Sequence, residues 1–250
     1  MNKTIIKSMD ILNLFTKYPK LSLNEMVELS GKPKTSIHRV VKTFEEIGFF
    51  EQDEHGQYQL GLLFLKYGQL VLERIDIHQI ALPFMKSLYE QIGENIILTV
   101  REGDETINIA SIESDQPVKI RSKIGERTPL YAGAPSRIIL AFLDKDEIKE
   151  YLARTPLQKL ADDTITDQDE LLHSLEEARE KGYCYSLSEI QNLGVGIAAP
   201  IFNHKGKIIA GLSVAGIHTH FTDENTTMVI EKVKETAEEL SAKLGYNKPF

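Results

Sequence analysis

One cysteine, Cys184, stands among 250 residues, and tryptophan is missing altogether. A lone cysteine forbids an intrachain disulfide and a cysteine-rich metal site, and it fits a reducing, cytosolic setting. No apolar run approaches the roughly 20 residues that a bilayer-spanning helix needs. The opening residues, MNKTIIKSMD, are too polar for a signal peptide, so a cytoplasmic location is expected. Glycine-rich phosphate cradles, internal repeats and low-complexity tracts are also missing. Cations are in short supply: 29 Lys and Arg face 37 Asp and Glu, a net charge of −8. That sum argues against a nucleic-acid partner, but its distribution argues for one. Residues 1–48 hold eight Lys and Arg against five acids and carry +3, which leaves −11 on the remaining 202. A basic head on an acidic body fits a DNA-binding module joined to something that stays off DNA.

What is present is ordinary globular material, 42% hydrophobic and 26% charged, enough for one large domain or two smaller ones. Ile5, Met9, Leu12 and Phe15/Tyr18 recur at helical spacing and predict a first helix over residues 3–17, ended by Pro19. Ser22 followed by Glu25 makes a capping box for a second helix that buries Leu23, Met26, Val27 and Leu29. Gly31 suits its left-handed close, and Pro33 suits the first turn of a third helix. That helix sets Ile37, Val40, Val41 and Phe44 on one face and Thr35, Ser36, Arg39, Lys42 and Thr43 on the other, with His38 at the boundary. Gly48 stops it. Residues 49–60 then read as a hairpin around Glu54-His55-Gly56. Three helices and a hairpin make a winged helix-turn-helix over residues 1–61.

Residues 62–75 form a helix with nine of fourteen positions apolar. Such a helix must bury more than one face. It is expected to serve as a linker and a dimer contact. Residues 76–250 read as a second domain. Its first helix is expected to break or restart at Pro83. Strands are expected over Asn95–Arg101, Thr106–Ser114, Val118–Ile124, Tyr183–Leu187, Val195–Asn203 and Lys207–Gly216. Helices are expected over Ser136–Leu143 and Lys145–Arg154, from a Thr166 cap to Gly182, and from a Thr222 cap to about Leu244. Helices at both ends of an antiparallel sheet of about six strands make the fold α+β.

The whole chain resembles the IclR-type bacterial transcription regulators. SGKPKTSIHRVVKTFEEIGFF is similar to their reading module and YQLGLLFLKYG to their domain linker. GERTPLYAGAPSRIILAFL is similar to their effector-domain loop and helix, and EKGYCYSLSEIQNLGVGIAAPIFNHKGKIIAGLSVAG to their C-terminal signature. The resemblance implies a GAF-like effector-binding domain, a homodimer or a dimer of dimers, and control of a catabolic operon, with repression the expected sign. It also implies a small organic acid or sugar-acid effector. Carried over residue by residue, the effector pocket would be lined by Ile120, Ala134, Pro135, Ser186, Gly196, Ser213 and Ala215. Ala134-Pro135-Ser136 leads into a helix N-terminus, where unpaired N–H groups would attract a carboxylate. Family members often carry Gly-Lys where this chain has Ser136-Arg137, and polar residues or Cys where it has Gly196 and Ala215. The pocket is therefore expected to be roomier and less polar, which argues against an effector as small as glyoxylate. Arg137 could face the ligand, but one turn into a helix such a residue is more often on the surface.

On DNA, phosphate contacts position and base contacts specify. Arg39 is the candidate for bidentate reading of guanine. Thr35, Ser36 and His38 reach base edges or phosphates from the first turns, and Lys32, Lys34 and Lys42 are candidate phosphate contacts. In the wing, Glu51, Asp53 and Glu54 repel phosphate, which leaves His55 and Gln57 at its tip. An enzyme reading fails on inventory. Cys184 has no base paired to it by any motif, and a lone Cys on a strand is usually core. His218-Thr219-His220 lacks a third metal ligand and reads as a loop pair. No cofactor or metal is expected. The remaining alternative keeps the DNA reader but makes the second domain an oligomerisation or protein-interaction platform without a small ligand.

Overall fold

A computed structural model describes residues 3–73 and 76–246. The chain divides into two compact units, Met1–Arg74 and Ile75–Phe250.

In the first unit, α1 (Lys3–Leu14), α2 (Leu23–Ser30) and α3 (Lys34–Glu46) precede a hairpin of β1 (Phe50–Gln52) and β2 (Tyr58–Leu60). The capping box at α2 is formed: Ser22 Oγ accepts from the Glu25 amide, and Glu25 Oε2 accepts from the Ser22 amide at 2.7 Å. Gly31 closes α2 in the left-handed conformation, φ 63°. Ile37, Val41 and Phe44 of α3 interlock with Ile11, Phe15, Leu21, Met26, Phe50 and Tyr58 in one core. Phe44 meets Phe50 edge-on, with centroids 5.1 Å apart. Leu21 bridges to Tyr58 and adds a third short extended segment beside the wing. Several details differ from expectation. The stripe that α1 buries runs through Ile11 and Leu12, not Ile5 and Met9, which stay exposed. Leu29 is exposed too, because α2 turns only Met26 fully inward.

The hairpin leads into α4 (Leu63–Glu73), the described part of the oily helix; Arg74 and Ile75 of the expected linker lie outside the described residues. Gly61 crosses the backbone so closely that a Cβ would sit 2.3 Å from the Gly48 carbonyl oxygen. Phe64 stacks on Phe49, while Leu62, Leu65, Tyr67 and Leu70 are exposed.

The second unit is an antiparallel six-stranded sheet with helices on both faces. Its order is β5-β4-β3-β8-β7-β6, with β3 (Asn95–Glu102), β4 (Glu105–Ile112), β5 (Arg127–Pro129), β6 (Cys184–Leu187), β7 (Gly194–Phe202) and β8 (Ile208–Ile217). On one face lie α5 (Asp76–Ile92) and α9 (Asp223–Lys243), and on the other α6 (Gly133–Ala141), backed by α7 (Lys145–Arg154) and α8 (Gln168–Lys181). Period two sorts the strands. Ile96, Leu98, Val195, Ile197, Leu212 and Val214 join the α5/α9 core. Their neighbours Ile97, Gly196, Ser213 and Ala215 therefore point towards α6.

Pro83 does not break α5, which runs unbroken through it. Ile77, Ala81, Met85 and Leu88 bury one continuous ridge on both sides of the proline, and that packing holds the helix across the lost hydrogen bond. Val118–Ile124 is not a strand. Side chains hold it instead: Asn95 Nδ2 donates to the Ile120 carbonyl and Asn108 Nδ2 to Ser122 Oγ, and the fifth strand is the short β5. Asp167, not Thr166, caps α8, its side chain accepting from the Glu170 amide at 2.9 Å. Thr222 caps α9 as expected. His218-Thr219-His220 forms one short 3-10 turn, and His220 Nδ1 lies 2.6 Å from Glu94 Oε1.

Candidate functional site

The polar face of α3 is open. Lys34, Thr35, His38, Arg39, Lys42 and Thr43 are exposed, and Ser36 and Lys32 are half-buried. No side chain caps the α3 N-terminus. Three of the lysines are held by neighbours. Lys32 pairs with Asp10, Lys34 Nζ donates to Asn24 Oδ1 at 2.9 Å, and Lys42 pairs with Glu45 at 2.7 Å. Arg39 and His38 have no side-chain partner among the described residues, so both can be presented to a groove. The acids of the wing have structural work. Asp53 accepts from Lys20 and from the amides of His55 and Gln57, and the Lys20 bond leads in holding its carboxyl below the usual range. Glu51 Oε1 accepts from the Leu62 amide at the start of α4.

In the second unit a partly open cavity lies between the sheet and the N-terminus of α6. Of the residues expected to line it, Ile120, Pro135, Ser186, Gly196 and Ala215 do so. The register explains why: Ser186 pairs with Gly196, and Gly196 pairs with Ala215, which makes a row across three strands. Ala134 and Ser213 do not line it. Ser213 lies one row deeper, fully buried, with its hydroxyl donating to the Ile97 carbonyl. Ala134 is spent on structure, its amide donating to Ser186 Oγ at 2.9 Å. Ile97, Asn108, Arg121, Ser122, Thr128 and Glu126 also line it, as do Ser136, Gly194, Val195 and the 189–191 loop.

The α6 N-terminus is not left unpaired. The Gly133 amide donates to Glu189 Oε2 at 3.0 Å, the Ala134 amide to Ser186, and Pro135 has no N–H to offer. The first anion at this helix end is thus the chain's own Glu189. Arg137 is not a surface residue. Its side chain is 3% exposed, with Nη1 on Glu189 Oε2, Nη2 donating to the Tyr185 carbonyl at 2.7 Å and Nε without a partner. Burial opposes its charge, but Cys184 and Glu189 beside it raise its pKa above the ordinary arginine value. The Glu189 carbonyl accepts from Thr164 Oγ. Sequence reasoning missed this group because its members come from four separate segments. The one available signal was an acid inside the SLSEIQNLG stretch, between two strands. Cys184 is buried against Arg137, and burial pushes its thiol up, so it is poorly suited to act as a nucleophile.

Residues 4–54 match the IclR helix-turn-helix domain and residues 69–242 the bacterial transcriptional regulator IclR C-terminal domain. The chain belongs to the IclR family. It is 46% identical to the HTH-type transcriptional regulator KipR of Bacillus subtilis over 98% of both chains. It is 29% identical to the HTH-type transcriptional repressor AllR of Escherichia coli, over 85% of this chain and 79% of that one. The crystal structure of the Thermotoga maritima IclR superposes with a TM-score of 0.85 at 32% identity, covering 97% of this chain and 99% of that one. As an IclR-family member, the chain is a helix-turn-helix, DNA-binding transcription regulator.

Proposed function

We propose that this chain is a repressor of a catabolic operon whose grip on its operator is set by a small organic acid or sugar acid bound in the second unit. The observation that carries this reading is the cavity between sheet and α6, walled by Ile97, Ile120 and Pro135 on apolar sides and by Asn108, Ser122, Thr128 and Ser186 on polar ones. Its concave shape and mixed apolar and polar lining suit a small molecule. On the DNA side, Arg39 reads a base edge, Thr35, Ser36 and His38 reach base edges or phosphates, and Lys32, Lys34 and Lys42 hold phosphate, each lysine exchanging a weak surface partner for the DNA backbone. Exposed Leu62 just before α4, and Leu65 and Leu70 on it, support pairing of two chains, whose reading heads would meet half-sites about one helical turn apart. A ligand that prefers one arrangement of the pair shifts operator affinity by its differential binding.

The test is operator binding by fluorescence anisotropy, on DNA from the chain's own promoter region, across a library of organic and sugar acids. At least one acid is expected to change the operator Kd and raise the melting temperature together. A library without such a hit supports the platform reading of the second unit instead.

A further inference from the structure

We infer that Glu189 is a tethered occupant of the carboxylate seat in this pocket, and that an acidic effector acts by taking its place and releasing the 188–193 loop. The inference rests on the reading of the cavity as an effector site. Four observations support it.

First, the seat is built for a carboxylate and holds one. Glu189 Oε2 receives the Gly133 amide at the start of α6 and the Arg137 guanidinium, both buried. A helix N-terminus and an arginine guanidinium both favour a carboxylate, and here they converge on one oxygen. Second, the Arg137 side chain is not saturated. Its Nε is buried without a partner, a donor left over on the same guanidinium. Third, Glu189 is also part of the cavity wall, together with Ile190 and Gln191. Gly133 and Arg137 themselves do not line the cavity, so a molecule there reaches the seat only once Glu189 moves aside. Fourth, the loop that carries Glu189 is bounded by two non-glycine residues in the left-handed region, Ser188 at φ 52° and Leu193 at φ 64°. Such residues hold strain that the surrounding contacts must offset. Those contacts include the ones Glu189 makes in the seat and through its carbonyl to Thr164, beside bonds from the Asp163 amide to the Ser188 carbonyl and from the His218 amide to the Leu193 carbonyl.

Tethering sets the chemistry of the effector. A side chain on a short loop presents its carboxylate at an effective concentration of millimolar or above. A bare carboxylate competes poorly with that. A successful effector needs a carboxylate for Gly133 and Arg137 and a body that fills the cavity against Ile97 and Ile120 while bonding to Asn108 or Ser122. Once displaced, the Glu189 carboxylate no longer ties the loop to the start of α6. Ile190, whose Cδ1 would lie 2.3 Å from a Cβ on Gly133, then lifts off the helix end. The loop connects β6 to β7, so the change is passed directly into the sheet edge.

The test uses the full chain with Glu189→Ala and Glu189→Gln, and acetate as the probe, with acetamide and sodium chloride as controls. Glu189→Ala is expected to melt lower than the parent and to regain stability with acetate in a saturable way, while the parent hardly responds. If Glu189→Ala does not fold, Glu189→Gln carries the same measurement, since its amide oxygen still caps Gly133 but competes weakly with an added carboxylate. Adding Arg137→Met to either variant is expected to abolish the acetate response. The operator Kd of Glu189→Gln is expected to change with acetate, in the direction in which an acidic effector changes that of the parent. A melting temperature indifferent to acetate overturns the seat, and an unchanged operator Kd overturns the switch and leaves a structural ion pair. The effector reading fails separately: acetate then fills the seat, yet no acid in the library moves the operator affinity of the parent.

Discussion

The helices α2 and α6 begin with the same chemical problem and meet it differently. Each opens with amides that have no partner inside the helix. At α2 the partners are Ser22 and Glu25, which lie within one turn and bond each other reciprocally. At α6 they are Ser186 and Glu189, more than fifty residues further along the chain and carried by β6 and the loop after it. A local cap ties the helix to itself and makes the reading head a fixed tool. A remote cap ties the helix to a loop in the wall of a cavity, so whatever enters the cavity can reach the helix end. The α2 end is wired locally and the α6 end at long range, which suits a rigid reader and a deformable pocket wall.

The most severe way to break this contrast is to remove the remote cap. Glu189→Ala leaves Arg137 buried and uncompensated, and the expected loss is about 3–5 kcal/mol of the stability of the second unit. Denaturant unfolding followed by hydrogen exchange should place the loss in residues 133–141 and 184–194, with α1–α3 unaffected. If α2 and α3 lose protection equally, the two units are not wired separately.

The same contrast explains what could be read from the sequence. The α2 capping box, the apolar face of α3, the Gly31 turn and the Thr222 cap are all encoded within a few residues of where they act, so periodicity and capping rules find them. Ile120, Pro135, Ser186, Gly196 and Ala215 were legible only through family resemblance, since strand register places them together. The seat itself was not legible. Arg137 sits on a helix whose every other apolar neighbour is buried, but nothing nearby in sequence says that Glu189 waits across the sheet edge. Pro83 and Val118–Ile124 misled for the reverse reason: local rules suggested a break and a strand, and tertiary packing and side-chain bonds from Asn95 and Asn108 decided otherwise.

A smaller effect tests the reader as a surface tool. Arg39 is exposed and contributes nothing to the core, so Arg39→Ala should leave the melting temperature unchanged and cost about 1–3 kcal/mol in specific operator binding. Discrimination at one base position should relax. Equal weakening on all sequences would make Arg39 a phosphate clamp, and a fall in melting temperature would show that the α3 face is not independent of its core.

The smallest effect concerns the local cap. Hydrogen bonds from the Ser22 hydroxyl and then the Ser22 amide hold the Glu25 carboxyl below its ordinary value of 4.5. A carboxyl with a depressed folded-state pKa contributes stability that is present above the unfolded value and is lost as pH falls through the folded one. The contribution should therefore be complete at neutral pH and fade only below about pH 4.5. Glu25 is fully exposed, so solvent and salt screen it and the effect on melting is slight. The sensitive readout is the carboxyl carbon shift of Glu25 followed by NMR. Its midpoint should lie below 4.5 in the parent and return towards that value in Ser22→Ala, a change that also removes the cap bond at a cost of about 1 kcal/mol. A midpoint indifferent to Ser22 would mean that α2 does not hold its own end, and the reader would lose the local wiring that separates it from α6.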